Sequence, residues 1–448
     1  MGPVDCMLPD TPRRRTILKL ALPIIGAMLT QSLINLIDAA LVGSLGETAL
    51  AGVGIGGYTM FMITALVFGL SSGVQAQTAR RHGEEDIAQR AMALNAGLLI
   101  ALIVTLPLTL LCLWQAPRLL GLINQQEAVQ AVGVDYFRWR VVSLVAVAMI
   151  FCFRGYWNGI QQTGIYLRIV LIMHVVNVTA SIGLIFGLAG LPAMGAAGAG
   201  AGTALAMFIG LVFWARHTRR HAHVSGYLQH PPQRATLAKT LHLAAPHSFQ
   251  QFWFAAGYAV LFWILGRIDT ASVAVGHVLV NLSLLLILPG VGLGLAAMSL
   301  VGQALGRETP EDAHRWGWDV VRVAWTSLAL LALPMLLFPD AVLGLFLHDA
   351  ELVALGRLPL RLTALMIVLD AAALVLAQAL LGAGAHRTVM SVTLCMQWLV
   401  FLPLAWWVGI ELGYGLIGIW WAQLGYRCLN SACFVLIWQR RRWQWLAI

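Results

Sequence analysis

Apolar residues run through this chain in long stretches, broken at intervals by short polar or basic clusters. Twelve stretches stand out, near residues 17–44, 48–76, 91–115, 136–159, 166–189, 193–214, 240–265, 271–301, 318–339, 358–382, 388–409 and 413–438. A helix needs about 20 residues to cross about 30 Å of hydrocarbon, and these runs match that length. Backbone groups in lipid must be satisfied internally, so runs this continuously apolar predict helices rather than barrel strands. The pattern predicts an all-α polytopic membrane protein with twelve transmembrane helices. No small-residue cleavage site follows the first run, which is therefore expected to be a retained span.

Composition agrees. Of 448 residues, 60% are hydrophobic and 10% charged, where a soluble domain carries about 25% charged residues. A soluble enzyme, a secreted protein and a nucleic-acid binder are all disfavoured. The net charge of +9 reports topology instead. With Arg13, Arg14, Arg15 and Lys19 placed in the cytoplasm, 21 of the 28 Lys+Arg collect on that side. Arg118, Arg138, Arg140, Arg267, Arg357 and Arg361 fall outside, and Arg427 sits within the last span. Both termini are then cytoplasmic, and the basic face meets anionic lipid rather than nucleic acid. The six cysteines are scattered, all but Cys6 in apolar segments, with no CxxC or metal-ligand spacing.

The two halves superimpose at one offset of 223 residues without a gap, which brings nine glycine pairs into coincidence, among them 43/266, 69/292, 83/306 and 159/382. Roughly two coincidences are expected by chance. Pro23 also meets Pro246, and Arg138 meets Arg361. Six spans per half make these parallel repeats, two pseudo-symmetric six-helix lobes expected to surround a central cavity. The expected organisation is a cytoplasmic tail (1–15), an N-lobe (16–214), a basic, His-rich cytoplasmic linker (215–239), a C-lobe (240–438) and a basic cytoplasmic tail (439–448).

Two acids resist placement in loops, tails or span ends: Asp38 in the first span and Asp370 in the tenth. A carboxylate in hydrocarbon costs several kcal/mol, so it faces a polar cavity, pairs, or carries a proton or ion. Gln31, Asn35 and Asp38 form one polar stripe at i, i+4 and i+7, and His174, Asn177 and Ser181 form another on the fifth span. Together they suit a small hard cation such as Na⁺ near Asp38, or a carboxyl that trades a proton. For Asn35 and Ser181, interhelical hydrogen bonding alone is an equal reading. For Asp370, Thr363 and Gln378 are the nearest polar residues on its face of the helix. Gln251, His277 and Asn281 are further polar residues in spans, candidates for lining a cavity. Pro23 removes a backbone hydrogen bond from the first helix, giving either a fixed bend or one that responds to the charge of Asp38.

Four stretches, in this order and with this repeat, resemble the multidrug and toxic compound extrusion (MATE) family: ALPIIGAMLTQSLINLIDAALVGSLGETALAGVGIG, FRGYWNGIQQTGIY, GAAGAGAGTA and LDAAALVLAQALLGAGAHRT. The resemblance spans about residues 15 to 440. It implies an inner-membrane, multi-pass antiporter, not an enzyme, that exports amphipathic, often cationic compounds against an inward flow of Na⁺ or H⁺ and needs no other cofactor. It also implies partners limited to small-molecule substrates and the bilayer, in a protein acting as a monomer. Asp38 matches the acid of the first helix that takes part in coupling, and Pro23 the proline where that helix bends. Asn177 matches a fifth-helix Asn of the same site, Thr203 a sixth-helix hydroxyl, and Asp370 the tenth-helix acid of the other lobe. Two departures stand out: Ser181 replaces a second fifth-helix acid, and no acid occurs between Pro246 and Gly266, where Phe254 falls near the expected seventh-helix Glu. One carboxylate per lobe favours protons over Na⁺. The rival reading is a lipid or lipid-linked precursor flippase of the same superfamily, which would bring a strongly cationic cavity.

Overall fold

The computed structural model describes residues 8–446, which leaves Cys6, the start of the expected 1–15 tail and the last two residues of the basic tail outside the described residues. The long helices are α1 (Thr11–Gly43), α2 (Glu47–Gly83), α3 (Met92–Gly121), α4 (Glu127–Val142), α5 (Leu144–Gly159), α6 (Gly164–Phe186) and α7 (Ala196–His221) in the first half. The second half has α8 (Arg234–Gly266), α9 (Thr270–Gly306), α10 (Pro310–Leu337), α11 (Pro339–Leu343), α12 (Ala350–Gly382), α13 (His386–Leu394), α14 (Leu402–Trp406) and α15 (Gly415–Gln439). π-helical turns flank α14, at Cys395–Phe401 and Trp407–Glu411, so the eleventh expected span is one continuous but irregular helical rod. Pro403 in its middle cannot donate the usual backbone bond, a common origin of such a loosened ladder.

Ten helices among the described residues are long and apolar enough to cross a membrane, and α4 with α5, bent by 45° at Ser143, makes eleven. The remaining expected span is α15, a 25-residue helix whose Trp420, Gln423, Arg427 and Asn430 lower its hydropathy. The protein is thus a multi-pass, all-α membrane protein.

The repeat seen in the glycines is built into the helix limits. α1 and α8 each run 33 residues and α2 and α9 each run 37, and within each pair the ends stand 223 positions apart. The α4–α5 pair and α12 cover matching ranges too, ending at Gly159 and Gly382. Even the left-handed residues after α2 and α9 correspond: Glu85 and Glu308 have φ of 58° and 59°.

By contact the chain divides into two compact units, one of the described residues up to Ile25 together with those from Trp253 onward, the other of Gly26–Phe252. The divisions fall inside α1 and α8 rather than in the 215–239 segment. Much of that segment is helix, since α7 reaches His221 and α8 starts at Arg234. Its middle is clipped down: Asn95 donates to the Gly226 carbonyl (2.9 Å) and accepts from the Leu228 N–H (3.1 Å).

Close packing within each unit explains one glycine pair. A Cβ at Gly69 would come within 2.0 Å of the Ala244 carbonyl oxygen on α8, and one at Gly292 within 2.5 Å of the Ile25 side chain on α1. These glycines let backbones approach as small residues do in membrane helix interfaces. In the unit built mainly from the second half, Arg13 at the head of α1 is fixed to α10: it pairs with Asp312 (2.7 Å) and Asp319 (2.5 Å) and lies 3.7 Å from the Trp316 ring centre.

Candidate functional site

The unit of residues 26–252 contains a cavity of about 450 Å³. Its polar lining comes from α1 (Gln31, Asn35, Asp38), α2 (Thr64), α4 (Tyr136, Arg140), α6 (His174, Asn177) and α7 (Thr203). The stripe expected on α1 therefore faces the stripe expected on α6. Each stripe is a consequence of helical period: residues three, four or seven apart project from one side.

Asp38 is the centre of this set. Its Oδ2 accepts from Asn177 Nδ2 at 3.0 Å, and Asn177 Oδ1 accepts in turn from Ser181 Oγ at 3.2 Å. Ser181 does not line the cavity; it orients the amide that does. Asp38 Oδ1 is buried and has no hydrogen-bond partner in the protein. Gln31 Nε2 donates to Asn35 Oδ1 (3.1 Å), and His174 Nε2 meets Thr30 Oγ1 (3.2 Å). Thr203 Oγ1 donates to the Ala199 carbonyl (2.9 Å), which leaves its lone pairs toward the cavity. The site thus offers one carboxylate, several neutral oxygens and, at Arg140, one guanidinium whose Nε and Nη1 are buried without a protein partner.

Arg140 was grouped by sequence with the outer residues. The structure puts it in the cavity, thirteen residues into α4 and three before the bend. The sequence signal was its position inside the apolar run 136–159 rather than in the loop before it.

The other unit treats its acid differently. Asp370 on α12 is almost fully enclosed, its side chain 4% exposed, and Arg427 Nη1 on α15 donates to its Oδ2 at 2.7 Å. Asn430 Nδ2 donates to Oδ1 at 3.3 Å, and Tyr258 OH lies 3.5 Å from Arg427 Nη2. Two helical turns earlier on both helices, Trp420 Nε1 donates to Thr363 Oγ1 at 2.8 Å. The seven-residue spacing on α12 and on α15 makes these two clasps on one seam. Sequence reading singled out Asp370 but not its partner; the signal was a second deeply embedded ion of opposite sign, Arg427. A carboxylate neutralised this way is a poor free binding group.

The remaining candidates lie apart from the cavity. Gln251 Nε2 is 3.1 Å from His247 Nε2, and His247 Nδ1 is 2.6 Å from Ser72 Oγ, so both belong to a packed network between α8 and α2. Arg154 joins the same region, its Nε on Ser71 Oγ (3.2 Å) and its guanidinium near the Phe68 and Phe151 rings. His277 and Asn281 are exposed neighbours on α9, with Asn281 Nδ2 donating to the His277 carbonyl at 2.9 Å. Pro23 lies within α1, three residues before the division between the units.

Comparison with known proteins places this arrangement. The family model MatE matches residues 23–183 and again 246–407, one copy in each half. The "Probable multidrug resistance protein NorM" of Pseudomonas aeruginosa is 28% identical over 428 residues, covering 93% of this chain and 87% of that protein. The "Multidrug resistance protein PmpM" of the same organism is 26% identical over 401 residues, 88% of this chain and 84% of its own. Among solved structures, an outward-facing multidrug resistance MATE family transporter of the MOP superfamily superimposes with a TM-score of 0.89 at 20% identity, covering 98% of both chains. A MOP superfamily transporter from Pyrococcus furiosus, described as having a binding pocket of reverse polarity, gives 0.86 at 21% identity, again covering 98% of both.

Proposed function

The chain belongs to the MatE family, and from that premise we propose that it is a cation-coupled antiporter. In this reading it exports amphipathic, often cationic compounds across the cell inner membrane by alternating access, as a monomer with both termini cytoplasmic. The observation that carries the reading is the cavity of residues 26–252, where Asp38 keeps one carboxylate oxygen without a protein partner. A single acid in a cavity within the membrane-spanning helices is a group that can exchange a charge with an incoming molecule. The names of the NorM and PmpM relatives support a multidrug substrate range.

The donor set favours H⁺ over Na⁺ as the coupling ion. A sodium shell wants several oxygens turned to one point. Here Asn177 turns its amide nitrogen, not its oxygen, to Asp38, and Arg140 adds a positive charge to the same cavity. Substrate and proton then compete for Asp38: protonation removes the charge that holds a cationic drug, and release follows. Asn177, steadied by Ser181, positions the carboxylate, with Asn35 and Thr203 completing the polar wall. The flippase alternative gains nothing from a cavity that holds one acid and one arginine.

The test is Asp38→Asn, which keeps the shape of the side chain and removes its charge. Gradient-driven ethidium export from vesicles is expected to fall to the level of empty-vector membranes while the protein is still inserted at wild-type amounts. Export at the wild-type rate would overturn the assignment.

A further inference from the structure

Each unit holds an acid and an arginine among its membrane-spanning helices, but only one unit closes them on each other. Asp370 and Arg427 meet at 2.7 Å. In the other unit, Asp38 Oδ1 and the Nε and Nη1 of Arg140 are all buried without a protein hydrogen-bond partner, and both side chains line one cavity of about 450 Å³. This arrangement is not a by-product of the repeat. The positions equivalent to Asp38 and Arg140 in the second half are Leu261 and Thr363.

Arg140 is half-buried. At 1.5 Å per residue its position lies roughly 20 Å along α4 from the helix start. A guanidinium N–H buried without an acceptor is costly, and the residue's planar fork is matched to a carboxylate or phosphonate, which it grips through two parallel hydrogen bonds. The volume falls in the range of about 300–1,000 Å³ found for drug-sized ligands. Val53, Met60, Phe61, Met173 and Met207 supply a soft apolar wall for the body of such a molecule.

We propose that Arg140 anchors an anionic group of the transported molecule, so that the cavity prefers zwitterionic amphiphiles, acid on Arg140 and ammonium toward Asp38, over purely cationic ones. This deepens the antiporter reading and rests on it for the claim that the cavity receives substrate. It explains why the two charges are kept apart: a ligand carrying both signs completes the pairing that the protein leaves open.

The probes are norfloxacin, which carries a carboxylate and a basic amine, and its ethyl ester, in which an uncharged ester replaces the carboxylate. Binding of each is measured by tryptophan fluorescence on the purified full-length protein. The wild type is expected to bind the acid about tenfold more tightly than the ester, the worth of one charge-assisted pair. In Arg140→Gln that ratio is expected to fall to about one, and in Arg140→Lys, which keeps the charge but loses the fork, to an intermediate value. Equal wild-type affinities for acid and ester overturn the proposal, whether or not the variants insert. A preference that survives in Arg140→Gln also overturns it. Failure of the antiporter reading would show separately, as an absence of gradient-driven ethidium export by the wild type.

Discussion

Removing the charge of Asp370 leaves Arg427 stranded. The Asp370→Asn side chain still fits between α12 and α15 and still faces Asn430, but it no longer neutralises a guanidinium that sits 2.7 Å away on a side chain only 10% exposed. The remaining neighbours are weak substitutes: Tyr258 OH at 3.5 Å and the Tyr426 ring, whose centre is 5.4 Å from the guanidinium carbon. Breaking a buried pair by deleting one partner costs about 3–5 kcal/mol, chiefly because the other charge stays buried. The Trp420–Thr363 clasp two turns away holds the seam, so the helices are not expected to part altogether. Removing both charges, in Asp370→Asn with Arg427→Gln, deletes the stranded ion as well and is expected to recover about half of the loss or more. The assay is thermal unfolding of the purified protein in detergent, read as a double-mutant cycle at one scan rate because membrane proteins often unfold irreversibly. The single variant should lower the apparent Tm by on the order of 5 °C and the double variant by clearly less. Single-variant stability equal to wild type, or a double variant as unstable as the sum of both singles, would refute the view of Asp370 as a structural partner of Arg427.

Other consequences follow from the same geometry. Gly69→Ala forces a methyl within 2.0 Å of the Ala244 carbonyl oxygen, a backbone atom held by its helix, whereas Gly292→Ala meets a side-chain carbon of Ile25, Cγ1, at 2.5 Å. Gly69→Ala should therefore lower thermal stability by more, about 3 kcal/mol against about 1, and equal losses would contradict the packing argument. Ser181→Ala removes the hydrogen bond that orients Asn177 (3.2 Å) at a net cost of about 1 kcal/mol. It is expected to slow ethidium export several-fold without abolishing it, and loss as complete as in Asp38→Asn would mean that Ser181 acts directly. Arg13→Ala breaks the pairs with Asp312 and Asp319, and limited proteolysis near the N-terminus should then be faster than in the wild type; an unchanged cleavage rate would show that this anchor is dispensable.

How far the sequence foretold this molecule depends on which interaction is asked about. The repeat was legible because glycine positions record close packing, and the 223-residue offset reappears in the limits of α1 and α8 and of α2 and α9. Helix ends were less legible. α1 begins at Thr11 and α8 at Arg234, several residues ahead of the apolar runs, because a helix continues into the headgroup zone where Arg13, Lys19 and Lys239 are favourable and hydropathy is silent. The Asp38 site could be read because each helix displays its polar residues at helical spacing, so two stripes define two faces. Arg140 and Arg427 could not be placed, because pairing and depth depend on which helices adjoin: Arg427 finds its acid 57 residues away, a distance no local pattern carries. The bend at Ser143 and the π-helical turns around α14 arise from packing and from Pro403, and leave little trace in apolar periodicity.

The central claim, that Asp38 couples export to proton entry, is tested most directly in sodium-free proteoliposomes holding the purified protein. A pH gradient alone is imposed, and ethidium movement is followed for the wild type and for Asp38→Asn. Gradient-driven transport by the wild type, abolished in Asp38→Asn, is the result expected. Transport that appears only when a Na⁺ gradient replaces the pH gradient would contradict the account and would make Asn177 and Thr203 ligands of a metal ion beside Asp38.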